Sequence, residues 1–126
     1  MSEDPRNGLV VPDIFVFGSN KAGRHGRGAA KFAMEQYNAE YGVGEGLTGY
    51  SYAIPTKGHN LEAMPFSEID AAICRFIQHA KNAPQDSYEL TPIGTGLAGH
   101  SKRDVWAVLK REGLPRNVFL SSTWVE

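Results

Sequence analysis

Apolar residues in this chain fall into short runs separated by glycine-rich stretches. Ile14-Phe15-Val16-Phe17 is one continuous run, closed by Gly18-Ser19-Asn20. That pattern predicts a strand buried on both faces. Tyr52-Ala53-Ile54 predicts a second strand, stopped by Pro55. Tyr88 to Ile93 reads as a third, made imperfect by Pro92, and Val118-Phe119-Leu120 as the last. Helical patterns lie between them. From Ala29 to Tyr37, the residues Ala29, Ala30, Phe32, Ala33 and Tyr37 share one face. Ile69, Ala72, Ile73, Phe76, Ile77 and Ala80 recur with a period of about 3.6. This predicts a helix starting at Ser67, with Ser67 as N-cap and Asp70 in a capping-box place. Ser101 with Asp104 caps a third helix, its Val105, Val108 and Leu109 turned inward, and Gly113 and Pro115 end it. Gly42 to Gly49 reads as a loop.

The order is strand, loop, helix, repeated about three times and followed by a strand. It predicts a single three-layer α/β domain over residues 13–126, with a mixed sheet between helices. Residues 1–12 read as a mobile tail. In such sheets ligands bind beyond the carboxyl ends of the strands. Two glycine-rich loops, residues 18–28 and 94–99, each follow a strand and precede a helix, so they are expected to converge on one face.

Composition removes several alternatives. At 126 residues the chain has the size of one domain. A net charge of −1, from 13 basic and 14 acidic residues, excludes a generic nucleic-acid coat. Bulk nucleic-acid binding is not expected, although a local basic patch remains open. The single cysteine, Cys74, permits no internal disulfide and no cysteine zinc cluster, and reads as helix packing. His59, His79 and His100 have no metal-ligand spacing, and His79 is expected at the surface. No metal or cofactor is expected. No apolar run approaches the roughly 20 residues that span a bilayer. A cytoplasmic protein without a membrane partner is expected.

The candidate chemistry lies in three segments. Gly18 to Gly28 holds Ser19, Asn20, Lys21, Gly23, Arg24, His25, Gly26 and Arg27, and leads into Ala29. Backbone N–H groups at a helix start hold anions, and glycines let a phosphate come close. This is not a P-loop, because Ala29-Ala30 stands where Lys-Ser/Thr is required. Gly94-Thr95-Gly96-Leu97-Ala98-Gly99 matches G-x-G-x-x-G, with His100 next. A dinucleotide fingerprint opens its fold, whereas this one precedes a single further strand, so a second phosphate-gripping loop is the better reading. Thr56-Lys57 follows the second strand. On the residues alone, Lys57 reads as a solvated lysine.

These three loops, in this order, resemble the macro domain superfamily, whose members bind ADP-ribose. Asn20, then Gly23, Gly26 and Gly28, then Ala29-Ala30, is similar to its first loop; Ile93-Gly94-Thr95-Gly96-Leu97 is similar to its second. Within the superfamily, Tyr52-Ala53-Ile54-Pro55-Thr56-Lys57 resembles the branch of terminal ADP-ribose protein glycohydrolases. The chain also resembles phage-borne and bacterial macro-like proteins that share the Phe-Gly-Ser-Asn opening. The resemblance implies ADP-ribose or an ADP-ribosylated substrate as partner. It implies Lys57 as a nucleophile toward the distal ribose; Asn20 and His25 are the further catalytic candidates, activating a water if the chemistry lies away from Lys57. It implies ligand contacts from Gly18, Ser19, Asn20, Gly23, Gly26, Gly28, Ala29 and Thr56, and from the second loop at Gly94, Thr95, Gly96, Leu97, Ala98, Gly99 and His100. The branch has an aspartate where this chain has Ala98, so His25 or His100 would have to replace it. Three functions stay open at this point. They are hydrolysis of an ADP-ribosyl or ADP-ribose-1″-phosphate bond, a binder or sponge without turnover, and, more distantly, nucleic-acid binding through the basic loop.

Overall fold

The computed structural model describes residues 12–95 and 99–125. Five strands form one mixed sheet: β1 (Ile14–Asn20), β2 (Gly46–Thr48), β3 (Ser51–Lys57), β4 (Tyr88–Leu90) and β5 (Val118–Leu120). Their order is β2-β3-β1-β4-β5. β1 runs parallel to both β3 and β4, β4 parallel to β5, and only β2 is antiparallel to its neighbour. Three helices join the strands: α1 (Gly28–Tyr37), α2 (Phe66–Asn82) and α3 (Lys102–Glu112). None is long and apolar enough to cross a membrane among the described residues.

Strand alternation divides the core. Ile14, Val16, Tyr52, Ile54, Tyr88 and Leu90 pack against the apolar faces of α2 and α3. Phe15, Phe17 and Ala53 point the other way, toward Ala30 and Ala33 of α1. A strand covered on both faces has no polar side to show, which is why Ile14 to Phe17 is apolar throughout.

Several elements depart from the sequence reading. β1 continues through Gly18, Ser19 and Asn20, because pairing with β3 extends to Asn20↔Lys57. β3 likewise passes through Pro55. The missing proline N–H falls where the β1–β3 register shifts, between Ser19 and Asn20, so the strand absorbs it. α2 starts at Phe66 with Pro65 as N-cap, not at Ser67, and has no side-chain cap. Asp70 is not a capping residue: its carboxylate accepts two hydrogen bonds from Arg111, at 2.9 and 2.6 Å. β4 ends at Leu90, before Pro92. β2 lies inside the stretch read as a loop. α3 begins as expected, with the Asp104 N–H donating to Ser101 Oγ at 3.1 Å. His79 is half-buried rather than fully at the surface, its ring 5.0 Å from Tyr52 and 5.9 Å from Tyr88. The segment read as a mobile tail lies almost wholly outside the described residues.

Candidate functional site

The carboxyl ends of the four parallel strands open into one cleft of about 950 Å³. Its wall comes from the end of β1, the start of α1, Thr56 and Lys57 of β3, the segment 91–94 after β4, and the segment 121–123 after β5. One end is aromatic. Phe15 and Phe32 meet edge to face at 5.3 Å, and Tyr37 stacks on Phe15 at 4.9 Å. Glu89, paired across the strands with Phe15, lines the cleft beside them. The other end holds Arg24, Tyr41, Lys57 and Leu61. Phe15 and Asn20 are five positions apart on β1, which corresponds to roughly 16 Å along a strand.

The start of α1 also contributes to the wall. Gly26, Arg27, Gly28 and Ala29 line the cleft there. The N-cap residue, Arg27, makes no side-chain capping bond, and no acidic residue occupies the first turn. No acidic side chain of its own first turn therefore competes for the first N–H groups of this helix, and the helix dipole favours an anion beside them. A Cβ added at Gly26 or Gly28 would meet no atom within 4 Å, so both glycines face open space.

The loop from Asn20 to Arg27 is fixed from beneath. The Asn20 side chain clips it shut, with Nδ2 donating to the Arg24 carbonyl at 2.8 Å and Oδ1 accepting from the Arg24 N–H at 2.9 Å. Asn20 thus lines the cleft while its amide holds the backbone. Gly23 does not face the ligand side. It is buried, and a Cβ there would collide with the backbone of Gly42 and Val43. Gly44 packs against the Asn20 and Lys21 backbone from the opposite loop in the same way. His25 is also not in the cleft wall. It is fully buried, with its ring 5.2 Å from Phe17 and its Nε2 3.3 Å from Ser19 Oγ. Burial holds this imidazole below its ordinary pKa, opposed in part by the Val43 backbone. The Ser19 carbonyl accepts from Thr56 Oγ1 at 3.2 Å, which ties β1 to β3 at the cleft floor.

Gly94 of the second loop lines the cleft at a φ of +75°. Thr95 turns its hydroxyl to the Pro92 carbonyl at 2.6 Å. The His100 N–H donates to the Gly94 carbonyl at 2.8 Å, and its ring packs 5.3 Å from Phe66, so it supports the loop from behind. Gly99 is exposed. Gly96, Leu97 and Ala98 lie outside the described residues. The basic loop is dispersed rather than a patch. Arg24 and Arg27 line the cleft, Lys21 pairs with Glu68 at 3.0 Å elsewhere, Lys31 is exposed on α1, and His25 is buried.

No protein-family model matches the sequence, and no curated protein is similar to it. Solved structures are. The macrodomain of Mycobacterium tuberculosis DarG superposes with a TM-score of 0.63 at 17% identity, covering 86% of this chain and 88% of that one. The fold is that of a macrodomain. A protein of unknown function from Bacteroides thetaiotaomicron gives 0.61 at 12% identity, covering 95% of this chain and 92% of the other. A second protein from that organism gives 0.57 at 12% identity, over 89% of each chain.

The macrodomain fold therefore brings together Gly18, Ser19, Asn20, Gly26, Gly28, Ala29, Thr56, Lys57 and Gly94 around one cleft. It places Gly23, His25 and His100 behind the walls. Sequence reasoning missed Phe15, Phe32, Tyr41, Leu61, Glu89 and residues 121–123. Phe15 sits in an apolar run whose register no local signal reveals. The hydroxyl-rich Ser121-Ser122-Thr123 directly after a parallel strand was a usable signal, since ligands sit beyond strand ends.

Proposed function

We propose that this chain binds ADP-ribose, free or as the ADP-ribosyl group of a larger substrate. The observation that carries the reading is the meeting, in one cleft, of an aromatic wall, an uncapped helix start and a lysine. The exposed ring of Phe32, backed by the buried Phe15, supplies an aromatic surface for adenine, and Glu89 an acceptor for its exocyclic amine. The open N–H groups at Gly26 to Ala29 suit a pyrophosphate, with Arg24 and Arg27 adding charge. The extent of the cleft suits two sugars joined by that pyrophosphate better than one nucleotide. Calorimetry tests this. ADP-ribose should bind with a Kd in the micromolar range, about −8 kcal/mol, and AMP more weakly. Equal affinities for the two would refute it.

A second reading has support from Lys57. It ends β3 at the cleft, and its Nζ has no hydrogen-bond or ion-pair partner among the described residues. As the free amine, Lys57 Nζ would form a bond to the anomeric carbon of the distal ribose. The bond from that carbon to the acceptor oxygen would break, and the departing oxygen would take up a proton. His25, sealed beneath the loop, is poorly placed to give that proton, so turnover would be slow. Mass spectrometry of protein held with ADP-ribose and a reductant looks for the trapped Lys57 adduct. Unmodified Lys57 after saturation with ligand would remove this second reading and leave the binder.

A further inference from the structure

Two non-glycine residues have positive φ among the described residues, Asn38 and Leu61, and only the second, in the turn after β3, is a bulky apolar one. Leu61 has a φ of +63°. That region suits glycine or asparagine, and a bulky leucine rarely enters it. The side chain gains no burial in return, being 46% exposed. The turn itself is well determined. The Gly58 N–H donates to the Glu62 carbonyl at 3.0 Å, and the Leu61 N–H to the Gly58 carbonyl at 3.1 Å. Glu62 Oε1 accepts from the Asn60 N–H at 2.9 Å. An antiparallel bridge between Lys57 and Ala63 closes the base. A glycine or asparagine at position 61 would satisfy every one of these bonds, because they use the backbone and Glu62 alone. The leucine is nonetheless present, and it lines the cleft together with Lys57, Arg24 and Tyr41.

We propose that Leu61 is a specificity residue of the Lys57 end of the cleft. Its side chain packs on the distal ribosyl part of the ligand and keeps water from the lysine. An exposed leucine loses little by staying in water when the site is empty and gains apolar contact when a ligand covers it. The inference rests on the ADP-ribose reading of the cleft, and adds that discrimination for a distal sugar comes from this turn.

The test uses the full chain and two variants, Leu61→Gly and Leu61→Asn, both compatible with positive φ. Melting temperatures and calorimetric affinities for ADP-ribose and AMP are measured for all three proteins. The expected result has three parts. Both variants melt at or above the wild-type temperature, ADP-ribose binds about tenfold more weakly, and AMP binds unchanged. A leucine held only for the turn would give the opposite: lower melting temperatures and unaltered ADP-ribose affinity. Equal losses for ADP-ribose and AMP would also overturn the proposal, since the residue would then not distinguish the distal sugar. Failure of the wild-type protein to bind ADP-ribose would refute the cleft reading itself, and the role of Leu61 with it.

Discussion

Replacing Gly26 by valine separates a ligand-facing glycine from a structural one. Gly26 is exposed, its φ lies outside the left-handed region, and a Cβ there meets nothing within 4 Å. The folded chain can therefore accept a side chain without strain. Removing a glycine also restricts the unfolded chain, so stability should stay level or rise by about 0.4–1 kcal/mol. Binding should respond differently. If a phosphate lies on the N–H groups at the start of α1, the valine methyls occupy its place. Each hydrogen bond to a charged oxygen contributes about 1.5–3 kcal/mol, so losing even one weakens ADP-ribose by roughly tenfold to a hundredfold. Gly23→Ala is the contrasting variant. Its φ of +70° and its collision with Gly42 and Val43 predict a loss of about 2–4 kcal/mol of stability. Thermal melts and calorimetry on both proteins read the two effects separately. A Gly26→Val protein that binds ADP-ribose like the wild type would show that no phosphate approaches that loop.

Lys57→Ala should keep most ADP-ribose affinity and abolish any reductively trapped adduct; turnover that survives the change would place the chemistry elsewhere. Asn20→Ala removes both bonds to Arg24, so the loop should loosen and ADP-ribose affinity fall by about tenfold, the size of one good hydrogen bond. His25 titrates below its ordinary 6.5 when folded, so the unfolded chain binds the proton more tightly. Its contribution to stability is complete above pH 6.5 and declines as the pH falls below that value, by at most about 1.4 kcal/mol per unit. Urea midpoints from pH 7.5 to 5 should show this slope, and His25→Gln should flatten it. Single- and double-stranded nucleic acid should bind only weakly, with affinity lost steeply as salt rises; tight binding at physiological salt would contradict the small-molecule reading.

The sequence carried the helices and strands well where side-chain period decides them. The α2 stripe from Ile69 to Ala80 is buried as its period requires, and the Ser101 cap is local chemistry that needs no tertiary partner. Boundaries failed where a distant partner intervened. Asp70 has the spacing of a capping residue but was claimed by Arg111 on another helix. Pro55 looked terminal, yet β1 on its flank kept the strand going. Part of the cleft wall was legible as glycine spacing: Gly18, Gly26, Gly28 and Gly94 of the two glycine-rich loops all line it. What those residues do individually was not legible. Gly23 and Gly26 are indistinguishable in the sequence, and only the arrival of the 42–44 loop makes one a packing surface and the other open. His25 follows two exposed cations in a loop, but the turn that Asn20 imposes sends it inward.

The sheet order also bears on how the chain reaches its native state. β1 occupies the middle of the sheet, yet its partners are met late: Phe15 pairs with Ser51, and Ile14 with Tyr88. Closing such long loops before any contact rewards them makes folding slow, and leaves the Ile14–Phe17 run a hazard for aggregation until both neighbours arrive. Every wall of the cleft hangs from that strand or from one docked after it. Ligand affinity should therefore appear in refolding experiments only with the final, global phase, and not with any early collapsed species.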